Sequence, residues 1–252
     1  MSRTKPLIIF LGLILIWQLI VVLTNVAPFI LPSPLSVLTS LLERIEELGR
    51  HALITTLEIT IGLFSGTVIG VISALIMAHF KPARSWLLPV LVVSQAIPVF
   101  ALAPVLVLWF GYGLLPKIVM ATLIIYFPVT AALYDGLRRT ETGWLELAKA
   151  MGASNFSILW KIRLPAAMPA FASGIRVATA VAPIGAVVGE WVGSSAGLGY
   201  YMLLMNARVQ TDAMFAALFV LAIIAVFIYY LVDKVLKSCI SWQTESNPSD
   251  KL

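Results

Sequence analysis

Charge is what this chain has least of. Asp, Glu, Lys and Arg make up 12% of its 252 residues, against roughly 25% in an ordinary soluble domain. With 60% of residues hydrophobic and a mean hydropathy of +0.99, a water-soluble globule is excluded. At about 20 residues per membrane crossing, the length holds six or so spans and leaves no room for a second soluble domain. The single cysteine, Cys239, permits no internal disulfide and no thiolate metal cluster. His51 and His79 stand at opposite ends of one apolar run, too far apart to share a metal. No G-x-x-x-x-G-K-[ST] occurs, and the glycine-rich run Gly193–Gly199 lacks the lysine, so nucleotide phosphates have no loop of the usual kind. The net charge of +5 is scattered between apolar runs rather than gathered on one face, which argues against nucleic acid. The expectation is a chain with no catalytic residues, no metal and no cofactor of its own.

Long apolar stretches remain. They fall at Leu7–Leu23, Ala52–Ala78, Leu87–Phe110, Leu114–Leu133, Ala166–Gly189 and Ala213–Val232, each long enough to cross a bilayer as a helix. The fold class is therefore an all-α integral membrane protein with six transmembrane helices. Between the first two, Leu35–Arg50 repeats Val37, Leu38, Leu41, Leu42, Ile45 and Leu48 at helical spacing opposite Glu43, Glu46 and Glu47, so it should lie along the membrane surface. With the N-terminus in the cytoplasm, twelve of the seventeen Lys and Arg fall on the cytoplasmic side, four outside (Arg44, Arg50, Lys117, Arg208) and Arg176 inside a span. That bias predicts both termini in the cytoplasm. Residues 1–243 form the permeating domain on this reading, and 244–252 a polar tail without structure. Gly62, Gly66 and Gly70 make two overlapping G-x-x-x-G steps, fit for close packing within the chain or against another subunit. Pro98, Pro104, Pro128 and Pro183 should kink their spans.

The longest polar interruption, Thr140–Pro165, falls on the cytoplasmic side and is too organised for a linker. Glu141–Met151 reads as a short helix with Leu145, Ala148 and Met151 on an apolar face, ended by Gly152 in the left-handed conformation. Ser154 caps a second short helix, Asn155–Lys161, which Pro165 stops. Glu146-Leu147-Ala148, then Gly152, then Ile162-Arg163-Leu164-Pro165 resembles the E-A-A, x3, G, x9, I-x-L-P loop of binding-protein-dependent ATP-binding-cassette (ABC) transporter permeases, with every spacing matched and Leu147 where that family usually has Ala. The resemblance runs along nearly the whole chain and looks closest to permeases for nitrate, sulfonate, taurine and thiamin-pyrimidine uptake.

The resemblance implies a bacterial inner-membrane permease subunit whose loop is a coupling helix docking on an ATPase. Glu146, Ala148, Gly152, Leu164 and Pro165 would carry the docking and its turn. It also implies the partners: an ATPase dimer that holds ATP and Mg, a second permease copy, and an extracytoplasmic solute-binding protein. The run Ile184–Tyr200 looks most like permeases for pyrimidine precursors of thiamin, with nitrate, sulfonate or taurine as the alternatives. An ATP-independent secondary transporter would show inverted repeats, which are not evident.

Glu190, at the outer end of the fifth span, is either a pore residue or a carboxylate wetted at headgroup level. Trp191 and Tyr200 either stack on a flat solute or anchor the interface. Arg176 would either snorkel or pair with Asp135.

Overall fold

The computed structural model describes residues 4–240 and Trp242, and among them every regular element is helical. The helices are α1 (Thr4–Thr24), α2 (Pro34–Glu43), α3 (Ile45–His79), α4 (Lys81–Ala96), α5 (Val99–Phe110), α6 (Leu115–Arg138), α7 (Thr142–Ala150), α8 (Asn155–Ile158), α9 (Leu164–Gly193), α10 (Leu198–Ala207) and α11 (Thr211–Cys239). A π-helical turn, Leu159–Arg163, joins α8 to α9, so the chain is helical without a break from residue 155 to 193. The expected tail 244–252 lies outside the described residues.

Among the described residues, four helices are long and apolar enough to cross a membrane: α3, α6, α9 with its preceding turns, and α11. The bent pair α4 and α5 makes a fifth if it is one span, and the apolar part of α1, Ile8–Thr24, is shorter. The third expected span, Leu87–Phe110, is thus not straight: its two halves meet at 103°. Pro98 is the cause. It has no N–H to donate and pushes Ile97 into an extended conformation (φ −82°, ψ 120°). Pro104, Pro128 and Pro183 stay inside continuous helices.

The surface helix read as Leu35–Arg50 is also corrected. It breaks at Arg44 (φ −111°, ψ 21°), and its second half becomes the first turns of α3. Glu46 and Glu47 in that first turn suit a helix N-terminus, and neither glycine nor proline interrupts the chain from Ile45 into the apolar run except Gly49. With 35 residues, α3 is about 50 Å long, more than a hydrocarbon core of about 30 Å.

At the centre stands α6, packed along α3 on one side and α9 on the other. Small residues permit this. Gly62, Gly66 and Gly70 of α3 face Ala121, Ile125 and Val129 of α6, and a Cβ at residue 66 would lie 2.6 Å from Ile125 Cγ2. On the opposite side a Cβ at Gly185 of α9 would lie 2.8 Å from the Ala121 Cα. The α3 glycine stripe therefore serves packing inside one chain. Arg176 of α9 pairs with Asp233 of α11 at 2.7 Å, not with Asp135, which is exposed on α6. Pro165, expected to stop a helix, sits in the first turn of α9 instead. The π-turn before it makes this possible: Leu164 N–H bonds back five residues to Leu159, and the wider turn accommodates a ring that an α-helical ladder would reject.

Candidate functional site

Between α6 and α9 the chain leaves the bundle as α7 and α8. The end of α7 is a Schellman motif: Ala153 N–H donates to Ala148 O and Gly152 N–H to Lys149 O, each at 2.9 Å. Gly152 has φ +79° with open space around it, so the demand for glycine there is conformational and not steric. Ser154 then accepts from the Ser157 amide at 3.2 Å and starts the next helix.

Which face of α7 is apolar differs from expectation. Ala148 is buried, Leu145 half-buried, and Met151 is 79% exposed. Trp144, Leu147 (62% exposed) and Met151, spaced three and four apart, form a stripe turned outward. Phe156 and Trp160, rings 6.0 Å apart, extend it from the neighbouring helix. This is a contiguous exposed apolar surface of the kind that marks an interaction site. Beside it a cavity of about 1000 Å³ opens between α7 and the start of α9, lined by Trp144, Leu147, Met151, Ile162, Pro165 and Pro169 among others.

Of the predicted loop residues, Glu146 and Pro165 are exposed, Ala148 is packed inward, and Leu164 joins the apolar cluster formed by Leu133, Leu137, Leu159 and Ala167. Leu147, the departure from the usual alanine, points outward and so enlarges the patch without straining the fold. Arg163 was missed: its Nε and Nη2 both donate to Leu137 O, at 3.0 and 2.9 Å.

At the other end of the bundle, about 40 Å along α9, lies a buried polar cluster. Lys117 of α6 and Glu58 of α3 form an ion pair at 2.7 Å with almost no exposure, and Glu190 of α9 lies beside Glu58. Glu190 is 1% exposed and so lies buried within the chain. Thr55 Oγ1 donates to it at 2.6 Å, and the Gly199 amide donates to its other oxygen. Thr55 Oγ1 also accepts from Leu198 N–H at 2.8 Å, and His51 Nδ1 accepts from Gly197 N–H at 3.0 Å. Three successive amides at the start of α10 are thereby satisfied by side chains of α3 and α9. Gly197, at φ +114°, has no room for a Cβ, which would strike the Glu190 carboxyl.

The amides at the end of the glycine-rich run are thus met by the chain's own side chains, the Glu190 carboxyl among them. Trp191 is exposed at the end of α9, and Tyr200 packs 6.1 Å from His51. Nearby, Arg44 donates to the Tyr201 hydroxyl at 3.4 Å, and burial pushes that phenol above its ordinary pKa.

Sequence reasoning missed the surroundings of Glu190: Thr55 bonded to it, Glu58 beside it in an ion pair with Lys117, and His51 on the Gly197 amide. The available signal was one acidic and one basic residue, each embedded near the start of an apolar run on separate spans.

The model of the family described as binding-protein-dependent transport system inner membrane component matches residues 66–238. A probable ABC transporter permease protein of Haemophilus influenzae is 56% identical over 91% of this chain and 94% of its own length. The formylaminopyrimidine transport permease protein of Halalkalibacterium halodurans is 35% identical over 95% of this chain and 96% of its own. The fold matches a solved inward-facing structure of the MetNI methionine ABC transporter with a TM-score of 0.67 at 22% identity, covering 78% of this chain and 97% of that one.

Proposed function

The chain belongs to that family of inner-membrane transport components and is a permease subunit of an ABC importer; on that footing we propose that it passes a pyrimidine precursor of thiamin, as a homodimer whose two loops each dock one ATPase subunit. Permeases of this family work with ATPase subunits and binding proteins, and in such systems ATP hydrolysis resides on a separate chain. Two ATPase subunits need two docking surfaces and this chain has one loop, which is the ground for a second copy. The charge asymmetry supports an orientation with both termini and the loop in the cytoplasm.

The observation that carries the docking role is the outward apolar stripe Trp144, Leu147, Met151 on a segment rigidly capped at both ends of its turn. Glu146, Gly152 and Pro165 flank that surface, and Ala148 and Leu164 seat it on the bundle. The solute rests on a different observation, the 35% identity to a formylaminopyrimidine permease along nearly the full length. Glu190 lends it no support, since its oxygens are taken by Thr55 and the Gly199 amide. Trp191 and Tyr200 remain candidates for lining the route, with Trp191 the more exposed of the two.

Uptake of labelled formylaminopyrimidine by cells carrying the complete transporter tests the solute. Saturable, ATP-dependent uptake that taurine and an alkanesulfonate leave untouched is expected. Absence of pyrimidine uptake, or pyrimidine uptake abolished by taurine or an alkanesulfonate, would reject the assignment.

A further inference from the structure

The docking loop can move helices only if its base is fixed to them, and its two legs are separate stretches of chain. One leg leaves at Arg138, the end of α6, and the other returns at Leu164, the start of α9. The Leu137 carbonyl is among the last four of α6, which have no partner inside their own helix, and Leu137 is wholly buried. Arg163, 26 residues further on, brings two N–H groups of its planar fork to that one oxygen. Thr140 Oγ1 adds a third donor at 3.2 Å. A cation at a helix C-terminus is further favoured by the helix dipole, and hydrogen bonds from a charged donor are among the stronger ones.

The π-turn aims the side chain. In that wider turn Leu159 and Arg163 fall on nearly the same face, and Leu159 packs into the cluster containing Leu133, Tyr134 and Leu137 at the end of α6. An apolar contact and a two-pronged hydrogen bond therefore join the returning leg to the departing one.

We propose that Arg163 is a positioning residue that clasps the two legs of the loop, so that α7, α8 and the loop-side ends of α6 and α9 move as one body. Arg163 touches neither the exposed stripe nor any solute route, and it acts only through Leu137. The proposal rests on the reading that the loop docks an ATPase. It goes beyond that reading by naming what turns docking into helix movement.

The test uses the full transporter, with Cys239 replaced by Ser and spin labels on Lys149→Cys in α7 and Asp135→Cys on the exposed face of α6, both residues being exposed. Label separation is measured nucleotide-free and after trapping with ATP and vanadate. With Arg163 present, one narrow distance distribution is expected, the same in both states. Arg163→Met should broaden it, the ratio of clasped to unclasped forms falling roughly tenfold or more, the size expected for losing hydrogen bonds from a charged group. Copurified ATPase per permease should stay at the wild-type level. Arg163→Lys keeps the charge but not the fork, and should give an intermediate width.

A narrow, unchanged distribution in Arg163→Met overturns the proposal, even if the melting temperature falls, because a mere helix cap would lower stability without freeing the loop. Should Arg163→Met fail to insert, the Arg163→Lys width decides, and a wild-type width refutes the clasp. Failure of the unsubstituted permease to hold ATPase sinks the docking reading instead, while the distance widths in the permease alone still judge the clasp.

Discussion

The two ends of the bundle are built on opposite plans. At the loop end, apolar side chains face outward and the turns are closed by local contacts within a few residues, at Gly152 and between Ser154 and Ser157, while Arg163 reaches across to Leu137. At the far end, charged and polar side chains face inward, and each contact joins segments far apart in sequence: Glu58 to Lys117, Thr55 to Glu190, His51 to Gly197. An outward apolar surface costs free energy unless something covers it. A buried ion pair is held in place because losing one partner leaves the other charge stranded. On the proposed reading the loop end is built to be covered by a partner, and the far end is held by its own contacts.

Substitutions that remove one partner should separate these plans. Lys117→Met carries the largest expected effect, about 3–5 kcal/mol of lost stability from a stranded Glu58, read as a fall in melting temperature of the detergent-purified protein. The double replacement Glu58→Gln with Lys117→Met should recover much of it. Gly197→Ala comes next. Its backbone, at φ +114° and ψ 162°, lies in a region kept almost wholly for glycine, at a cost of about 1–3 kcal/mol for alanine, and the added Cβ displaces Glu190; thermal unfolding should show the loss, and adding Glu190→Ala should reduce it. Glu190→Gln should cost about 1–3 kcal/mol, since an amide cannot accept from both Thr55 and Gly199 as a carboxylate does. At the loop end, Leu147→Glu on an exposed position should change stability by less than about 0.5 kcal/mol, yet lower ATPase copurification sharply.

The same contrast governs what the sequence made legible. The turns of the loop were readable, because caps and turns act over three to five positions: Gly152 takes the positive φ and Ser154 the cap that their spacing implied. Helices α3, α6, α9 and α11 were readable because apolar length suffices. The Arg176 partner was not, since Asp135 and Asp233 are equally plausible until helices are placed, and the packing chose Asp233. Glu190 was singled out, but its environment was not, because Thr55 and Gly199 reach it only after α3 and α10 have docked. The exposed face of α7 was misjudged for a related reason. Periodicity shows that an apolar face exists, and Ala148, not Met151, proved to be the side turned inward.

The most direct measurement is copurified ATPase per inserted permease for Gly152→Val, with uptake of labelled formylaminopyrimidine followed in parallel. An added Cβ at Gly152 meets no neighbour and φ is +79°, so the penalty on valine comes through the backbone and is about 1–2 kcal/mol. Membrane insertion should be normal, while ATPase association weakens and uptake is abolished. Normal insertion with wild-type association and wild-type uptake would contradict the docking role of this loop.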